Sequence, residues 1–201
     1  DRAITIVEKA LEKYGAPVYV RHEVVHNKYV VDGLKQRGAI FIEEIKDVPE
    51  SSILIYSAHG VPLAIREEAL AKNLTMVFDA TCPLVSKVHV EIKNLHRQNY
   101  TIIMIGHKGH PEVEGTMGQV TDHIHLIENE ADIDSLLIPR DIEKIAVVTQ
   151  TTLSVDETKS IIAKLMQVFS NLRLPKNEDI CYATQNRQDA VKEMAEYCDV
   201  V

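Results

Sequence analysis

Two cysteines occupy equivalent places in the sequence. Cys82 and Cys181 each end an apolar run and begin an amphipathic helix, so they mark the same point of an internal repeat. The start of the chain has the same order of helix, strand and histidine-bearing turn that follows Cys82. Overlaying Val18 on Ile102, or Ile4 on Val85, projects a third cysteine to a position just ahead of Asp1 or to Asp1 itself, which predicts a clipped amino end. Three converging thiolates suit a metal or iron–sulfur site better than a disulfide.

Zinc is the alternative metal that these residues leave open. His107 and His110 could join Cys82 in a zinc-dependent hydrolase. Structural zinc usually takes its ligands in close pairs, whereas about half of the chain separates Cys82 from Cys181. The wide spacing therefore favours one thiolate from each repeat on a cluster that leaves one iron open to a substrate oxygen. A non-catalytic redox or phosphate-binding module is the other alternative.

Polar residues follow the predicted strands at their carboxyl ends, where parallel α/β sheets bind ligands. Glu112 is the best candidate for a proton donor, because a carboxyl group just beyond a strand can lose enough solvent to stay protonated near neutral pH. Glu114 is the second candidate. His26 and His59 suit phosphate oxygens, and Thr151 offers a hydroxyl group to a substrate alcohol or a water. The full set is His22, His26, His59, Cys82, His107, His110, Glu112 and 149–152.

Short strand-like runs alternate with helix-like runs along the chain, which predicts an α/β fold with mostly parallel strands. The predicted strands are 17–20, 39–42, 53–56, 76–78, 101–105 and 145–148. The predicted helices are 3–14, 28–37, 63–72, 84–97, 130–137, 155–169 and 185–197. The repeat predicts one α/β unit at 1–80, a second at 81–179 and the truncated start of a third at 180–201. Cys198 lies away from any strand end and is predicted to be a small core residue.

The composition excludes several classes of protein. The 201 residues are 45% hydrophobic, which is enough for a substantial core, and carry a formal net charge of -8. Such a surface lacks the basic footprint of a nucleic-acid binder. The sequence also has no apolar run long enough to span a membrane. Its first residues predict an amphipathic helix rather than a signal peptide. We therefore expect a cytoplasmic protein with reduced thiols that binds neither nucleic acid nor membrane.

Six motifs, in this order, resemble those of the 4-hydroxy-3-methylbut-2-enyl diphosphate reductase family of the non-mevalonate isoprenoid pathway. They are residues 22–27, 57–61, 78–85, 106–116, 149–156 and 179–184. The resemblance covers essentially the whole chain. It implies a pseudo-threefold trefoil of α/β units around a [4Fe–4S] cluster. The family removes the substrate hydroxyl group with two electrons and two protons, which yields isopentenyl and dimethylallyl diphosphate.

Family roles carry over to the residues that match these motifs. The resemblance implies that Cys82 and Cys181 are the second and third cluster ligands. It also implies that Glu112 delivers a proton to the allylic intermediate. The electrons would come from a ferredoxin or a flavodoxin-type donor.

The remaining family roles concern the allylic diphosphate substrate. His26 and His59 resemble the histidines that bind the diphosphate, while His110 and Thr151 resemble residues that line the substrate hydroxyl group. The first cluster cysteine of the family is absent, and so is the part of the third unit that completes the diphosphate pocket. We therefore expect this chain to be inactive on its own.

Overall fold

A computed structural model describes residues 2–175 and 179–200. The chain divides into two compact units, each with one parallel four-stranded sheet. The first compact unit comprises Asp1–His89 and Glu114–Gln119, and the second comprises Val90–Val113 and Val120–Val201. Among the described residues, no helix has the length and hydropathy that crossing a bilayer requires.

The sheet of the first compact unit has the strand order β2-β1-β3-β4, and all neighbouring strands are parallel. Its strands are β1 (Val18–Arg21), β2 (Ala39–Ile42), β3 (Ile53–Tyr56) and β4 (Met76–Asp79). Its helices are α1 (Arg2–Tyr14), α2 (Lys28–Gln36), α3 (Leu63–Ala71) and a short 3-10 helix (Ile45–Asp47). Parallel strands bring their carboxyl ends to one edge, where the segments after β1, β3 and β4 begin.

Apolar side chains cover both faces of this sheet, because successive residues of a strand point to opposite sides. Val20 packs in one cluster with Val7 and Leu11, which share a face of α1. Leu54 and Tyr56 of β3 belong to a second cluster on the other face. The edge strand β4 is less covered, since Met76 is 38% exposed and Val77 is 36% exposed.

The sheet of the second compact unit has the strand order β6-β5-β7-β8 and is also parallel. Its strands are β5 (Thr101–Ile105), β6 (Ile124–Ile127), β7 (Ile145–Thr149) and β8 (Leu172–Arg173). It also contains a 3-10 helix (Glu130–Ser135) and the helices α6 (Val155–Val168) and α7 (Tyr182–Ala195). Helices α4 (Pro83–Arg97) and α5 (Pro111–Met117) contain residues of both compact units.

The two sheets have the same internal order, as a repeated α/β unit requires. Val18 pairs with Ala39 and Ile53 at the start of β1, and Ile102 likewise pairs with residues of both its neighbours. In both sheets a central strand therefore has a parallel neighbour on each side. The repeat boundaries at 1–80, 81–179 and 180–201 remain a prediction.

The α/β class, the parallel strands and most of the predicted elements are confirmed. The segment predicted as a helix at 130–137 is a 3-10 helix, and α7 begins three residues before the prediction, at Tyr182. Helix α5 and strands β6 and β8 were not predicted. Cys198 is exposed, so its prediction as a core residue is wrong. It follows α7, in which no residue is buried, so there is no core for it to join.

Candidate functional site

Cys82 lies between the end of β4 and the first residue of α4. Its backbone N–H donates to the carbonyl of Ala58 at 2.9 Å, which joins this segment to the one after β3. The thiol is free and half-buried. Sulfur is a soft ligand of the kind that iron–sulfur clusters and zinc take, so Cys82 is chemically suited to bind a metal.

A charged turn precedes Cys82. The backbone N–H of Thr81 donates to Asp79 Oδ1 at 2.9 Å, and its hydroxyl group donates to the same oxygen. Arg66 contacts the other carboxylate oxygen at 2.6 Å. Burial opposes ionisation of Asp79, but the hydrogen bonds from Thr81 and Arg66 together lower its pKa. The carboxylate therefore stays charged and fixes the residue next to Cys82.

Two imidazole rings lie together in the first compact unit. The ring centroids of His26 and His59 are 5.3 Å apart, and the ring planes meet at 42°. His59 follows β3, and its Nδ1 lies 3.2 Å from the hydroxyl oxygen of Ser57. His26 directly precedes Asn27, whose side chain caps α2. The structure thus brings together the two histidines that the sequence predicts for phosphate oxygens.

Two further basic side chains lie at the carboxyl end of β1. Arg21 is the last residue of the strand and is buried, and burial lowers the pKa of its guanidinium group. His22 has a φ of 61° and its Nδ1 lies 2.7 Å from the carboxylate of Glu43. Burial, together with the neighbouring Arg21, lowers the pKa of His22. Sequence reasoning assigns Arg21 no role, although a charged residue at the end of an apolar strand is a signal that could have pointed to it.

Glu112, in the second compact unit, is the second residue of α5 and is 3% exposed. Thr151 donates to both of its carboxyl oxygens, from the backbone N–H to Oε1 at 2.6 Å and from the hydroxyl group to Oε2 at 2.9 Å. Burial raises the pKa of Glu112, and the two hydrogen bonds from Thr151 oppose this shift without cancelling it. The direction that the sequence predicts for this pKa is confirmed.

Thr151 also contacts the second repeat-matched cysteine. The backbone N–H of Cys181 donates to the carbonyl of Thr151 at 2.8 Å. Cys181 is the N-cap residue of α7, and its thiol is free and half-buried. Thr151 is therefore hydrogen-bonded both to Glu112, the candidate proton donor, and to Cys181, the candidate metal ligand. Sequence spacing gave no sign of this double role.

His110 is held in one tautomer by its neighbour. The backbone N–H of Glu112 donates to His110 Nδ1 at 3.1 Å. A ring nitrogen that accepts a hydrogen bond carries no proton, so in this arrangement the ring is neutral and its proton is on Nε2. His107 is largely exposed. Within residues 2–175 and 179–200, it joins no group of three potential metal ligands, which leaves the zinc alternative unsupported.

Gln150 organises the loop after β7. Its side-chain Oε1 accepts from the backbone N–H of His107 at 3.0 Å, and its Nε2 donates to Thr152 Oγ1 at 2.9 Å. A Cβ at Gly106 would lie 2.6 Å from Val113 Cγ2 and 3.2 Å from Gln150 Oε1. Only glycine fits this approach, so the loops after β5 and β7 are packed directly against each other. Gln150 lies in the motif at 149–156, but the sequence alone predicts no function for it.

The raised pKa of Glu112 predicts how stability changes with pH. The folded state holds this proton more tightly than the unfolded chain, so the contribution to stability is complete below the unfolded pKa of about 4.5. It is lost as the pH rises through the folded pKa. Glu112→Gln keeps a neutral group, so the free energy of unfolding of the variant should gain on the wild type by up to about 1.4 kcal/mol per pH unit in that window.

Urea unfolding of this chain and of the Glu112→Gln variant at pH 5 and at pH 8 measures the difference. Glutamine can keep both contacts, accepting from the Thr151 N–H and donating to the Thr151 hydroxyl oxygen. A difference between the two proteins that is the same at both pH values would contradict the raised pKa.

Comparison with known proteins gives a match along the whole chain. The family model described as LytB protein matches residues 1–201. The chain is 63% identical over 201 residues to the 4-hydroxy-3-methylbut-2-enyl diphosphate reductase of Chromobacterium violaceum, and the match covers all of this chain and 64% of the relative. It is 59% identical to the reductase of that name from Azoarcus sp., again with 64% of the relative covered.

Two solved structures also match nearly the whole chain. The E-1-hydroxy-2-methyl-but-2-enyl-4-diphosphate reductase of Plasmodium falciparum superposes with a TM-score of 0.92 at 46% identity, over 98% of this chain and 62% of that one. A second structure is described as the terminal enzyme of the non-mevalonate pathway. It superposes with a TM-score of 0.80 at 30% identity, over 96% of this chain and 68% of that one. This chain spans just under two thirds of the length of the two bacterial relatives.

Proposed function

This chain belongs to the LytB protein family, and from that membership we propose that it carries part of an oxidoreductase acting on 4-hydroxy-3-methylbut-2-enyl diphosphate. The proposed reaction is reductive removal of the substrate hydroxyl group to give isopentenyl and dimethylallyl diphosphate. The observation that carries the proposal is the chain of contacts from buried Glu112 through Thr151 to Cys181. These contacts connect the carboxyl group of Glu112, which can hold a proton, with Cys181, whose thiol can bind a metal.

The two thiols fit a [4Fe–4S] cluster in their chemistry. Cys82 and Cys181 are free, partly exposed and at the amino ends of helices. Thiolates are the usual protein ligands of iron–sulfur clusters. We propose both as cluster ligands. The cluster, when bound, supplies electrons and a Lewis-acidic iron for breaking the carbon–oxygen bond.

Glu112 is proposed as the proton donor. The Thr151 N–H can only donate, so Glu112 Oε1 must accept, and the acid proton therefore belongs on Oε2. When Glu112 is protonated, the second contact runs in the opposite direction, and the hydroxyl oxygen of Thr151, 2.9 Å from Oε2, accepts that proton. Burial raises the pKa of Glu112, so the carboxyl group stays protonated at higher pH than an exposed glutamate does. Together these contacts hold one proton at a defined atom.

His26 and His59 are proposed to bind the diphosphate. Their rings are close enough for their N–H groups to donate hydrogen bonds to oxygens of one anion. Because the net charge of the protein is -8, an anion needs such a local set of donors. His110 is proposed to contact the substrate hydroxyl group, because its Nε2 carries the proton when Nδ1 accepts from Glu112. Thr151 is proposed to line the same part of the pocket.

The electron donor is proposed to be a ferredoxin or a flavodoxin, and the location the cytoplasm. Three free cysteines agree with a reducing compartment. Neither the zinc hydrolase nor the non-catalytic module gains support from the family match.

A chimaera tests the function. The matching segment of the Chromobacterium violaceum relative is replaced by this chain, and the protein is purified without oxygen. We expect iron and acid-labile sulfide, and release of both products in the presence of a reduced flavodoxin. Stoichiometric zinc without sulfide, or a loaded cluster without product, would overturn the proposal.

A further inference from the structure

The turn that carries His59 lies directly against a buried histidine of α4. A Cβ at Gly60 would be 2.6 Å from His89 Cε1 and 3.3 Å from its Nε2. The first distance is shorter than any real contact of a Cβ atom. Gly60 also has a φ of 76°, which side-chain-bearing residues rarely adopt. The turn therefore approaches the imidazole as closely as glycine alone permits.

The same turn is packed from other directions within the first compact unit. A Cβ at Gly115 would lie 3.1 Å from the carbonyl carbon and oxygen of Gly60. The side-chain amide of Gln119 donates to the carbonyls of Val61 and Gly115 at 2.8 and 2.7 Å. The backbone N–H of Gly60 donates to the backbone carbonyl of Ser57 at 3.2 Å. A turn held in this way can change position only if a neighbour also moves.

His89 is 5% exposed and has almost no surface left for a ligand. It lies about two helical turns after Cys82, in the helix that begins at Pro83. The N–H of Cys82 is bonded to Ala58, one residue before His59. The turn thus contacts this helix at its start, through Cys82, and again at His89.

We propose that His89 is a positioning residue that sets the orientation of His59 for binding a diphosphate anion. The inference rests on the proposed role of His59. The flat imidazole fills the space under Gly60, so a smaller side chain would let the turn sink and tilt the ring of His59 away from His26. Glu112 is held separately by Thr151. The loss should therefore fall on substrate binding and spare proton transfer.

The test compares variants of the chimaera that turns over substrate. We expect His89→Ala to raise KM about tenfold, the effect of roughly 1.4 kcal/mol, with kcat changed less than about twofold. Binding of inorganic pyrophosphate, measured by calorimetry, should weaken by a similar factor. His96→Ala is the matched control, because this half-buried histidine of α4 pairs with Asp122 and should leave KM unchanged.

A double substitution tests the contact itself. Gly60→Ala places a methyl group against His89, and His89→Ala in the same protein removes that clash. If the contact positions His59, the double variant should bind pyrophosphate more tightly than Gly60→Ala alone. If His89→Ala does not fold, His89→Ser, whose side chain is also much smaller than an imidazole, takes its place in both comparisons with the same expectations.

Unchanged pyrophosphate binding in the His89 variants would overturn the inference. So would a loss of kcat with KM unchanged, or strictly additive effects in the double variant. Failure of the proposed function would already appear in the parent chimaera, as absent turnover, before any His89 variant is compared.

Discussion

Replacing Glu112 with glutamine in the chimaera is expected to lower kcat by about two to four orders of magnitude, the usual contribution of a general acid. Glutamine has no acid proton to give. It keeps the size of glutamate and can keep both contacts with Thr151, so KM should change little. Steady-state turnover with a reduced flavodoxin measures both constants.

Glu114→Gln is the matched control for this experiment. Glu114 lies two residues along the same helix, is exposed and is the other carboxyl group that the sequence offers as a proton donor. Its replacement should leave kcat within about twofold, as expected for a surface substitution without a role in the chemistry. A Glu112→Gln variant that keeps most of its turnover, or a Glu114→Gln variant that loses it, would assign the proton to another residue.

Replacing either Cys82 or Cys181 with serine is expected to reduce turnover to background. A hydroxyl group is a harder and more weakly acidic ligand than a thiol, and it binds iron–sulfur clusters poorly. Iron and acid-labile sulfide per chain should fall together with activity. Both are measured on protein purified without oxygen, so that loss of the cluster is not confused with oxidation.

The third cysteine supplies the control for this pair. Cys198 is exposed and follows α7, so Cys198→Ser should keep its iron, its sulfide and its turnover. If Cys198→Ser lost iron, or if Cys82→Ser kept it, the assignment of the repeat-matched thiols as ligands would be wrong.

Most of the fold could be predicted because its elements carry strong local patterns. Strand β3 (Ile53–Tyr56) is wholly buried and reads as an unbroken apolar run. Helix α1 shows its buried face through the spacing of Val7 and Leu11. Helix α5 has no such pattern, since it has seven residues, begins at Pro111 and contains Gly115. The sequence therefore located Glu112 beyond a strand but did not predict the helix that carries it.

The contacts of the candidate site were less predictable, because they join distant parts of the chain. Glu112 and Thr151 are 39 residues apart and meet because β5 and β7 are neighbours in the sheet. No local spacing encodes that pairing. His89 is buried on α4, 29 residues after Gly60. Its contact with Gly60 depends on how α4 packs, which local sequence patterns do not determine.

The exposed edge of the first sheet has a practical consequence for work with this protein. Within the part of the chain that the structure describes, β4 pairs only with β3, so a row of its backbone N–H and C=O groups is left without a neighbouring strand. Met76 and Val77 add apolar surface to that row. Such an edge is a template on which a second copy can add its own strand, so we expect this chain to aggregate through β4 as its concentration rises.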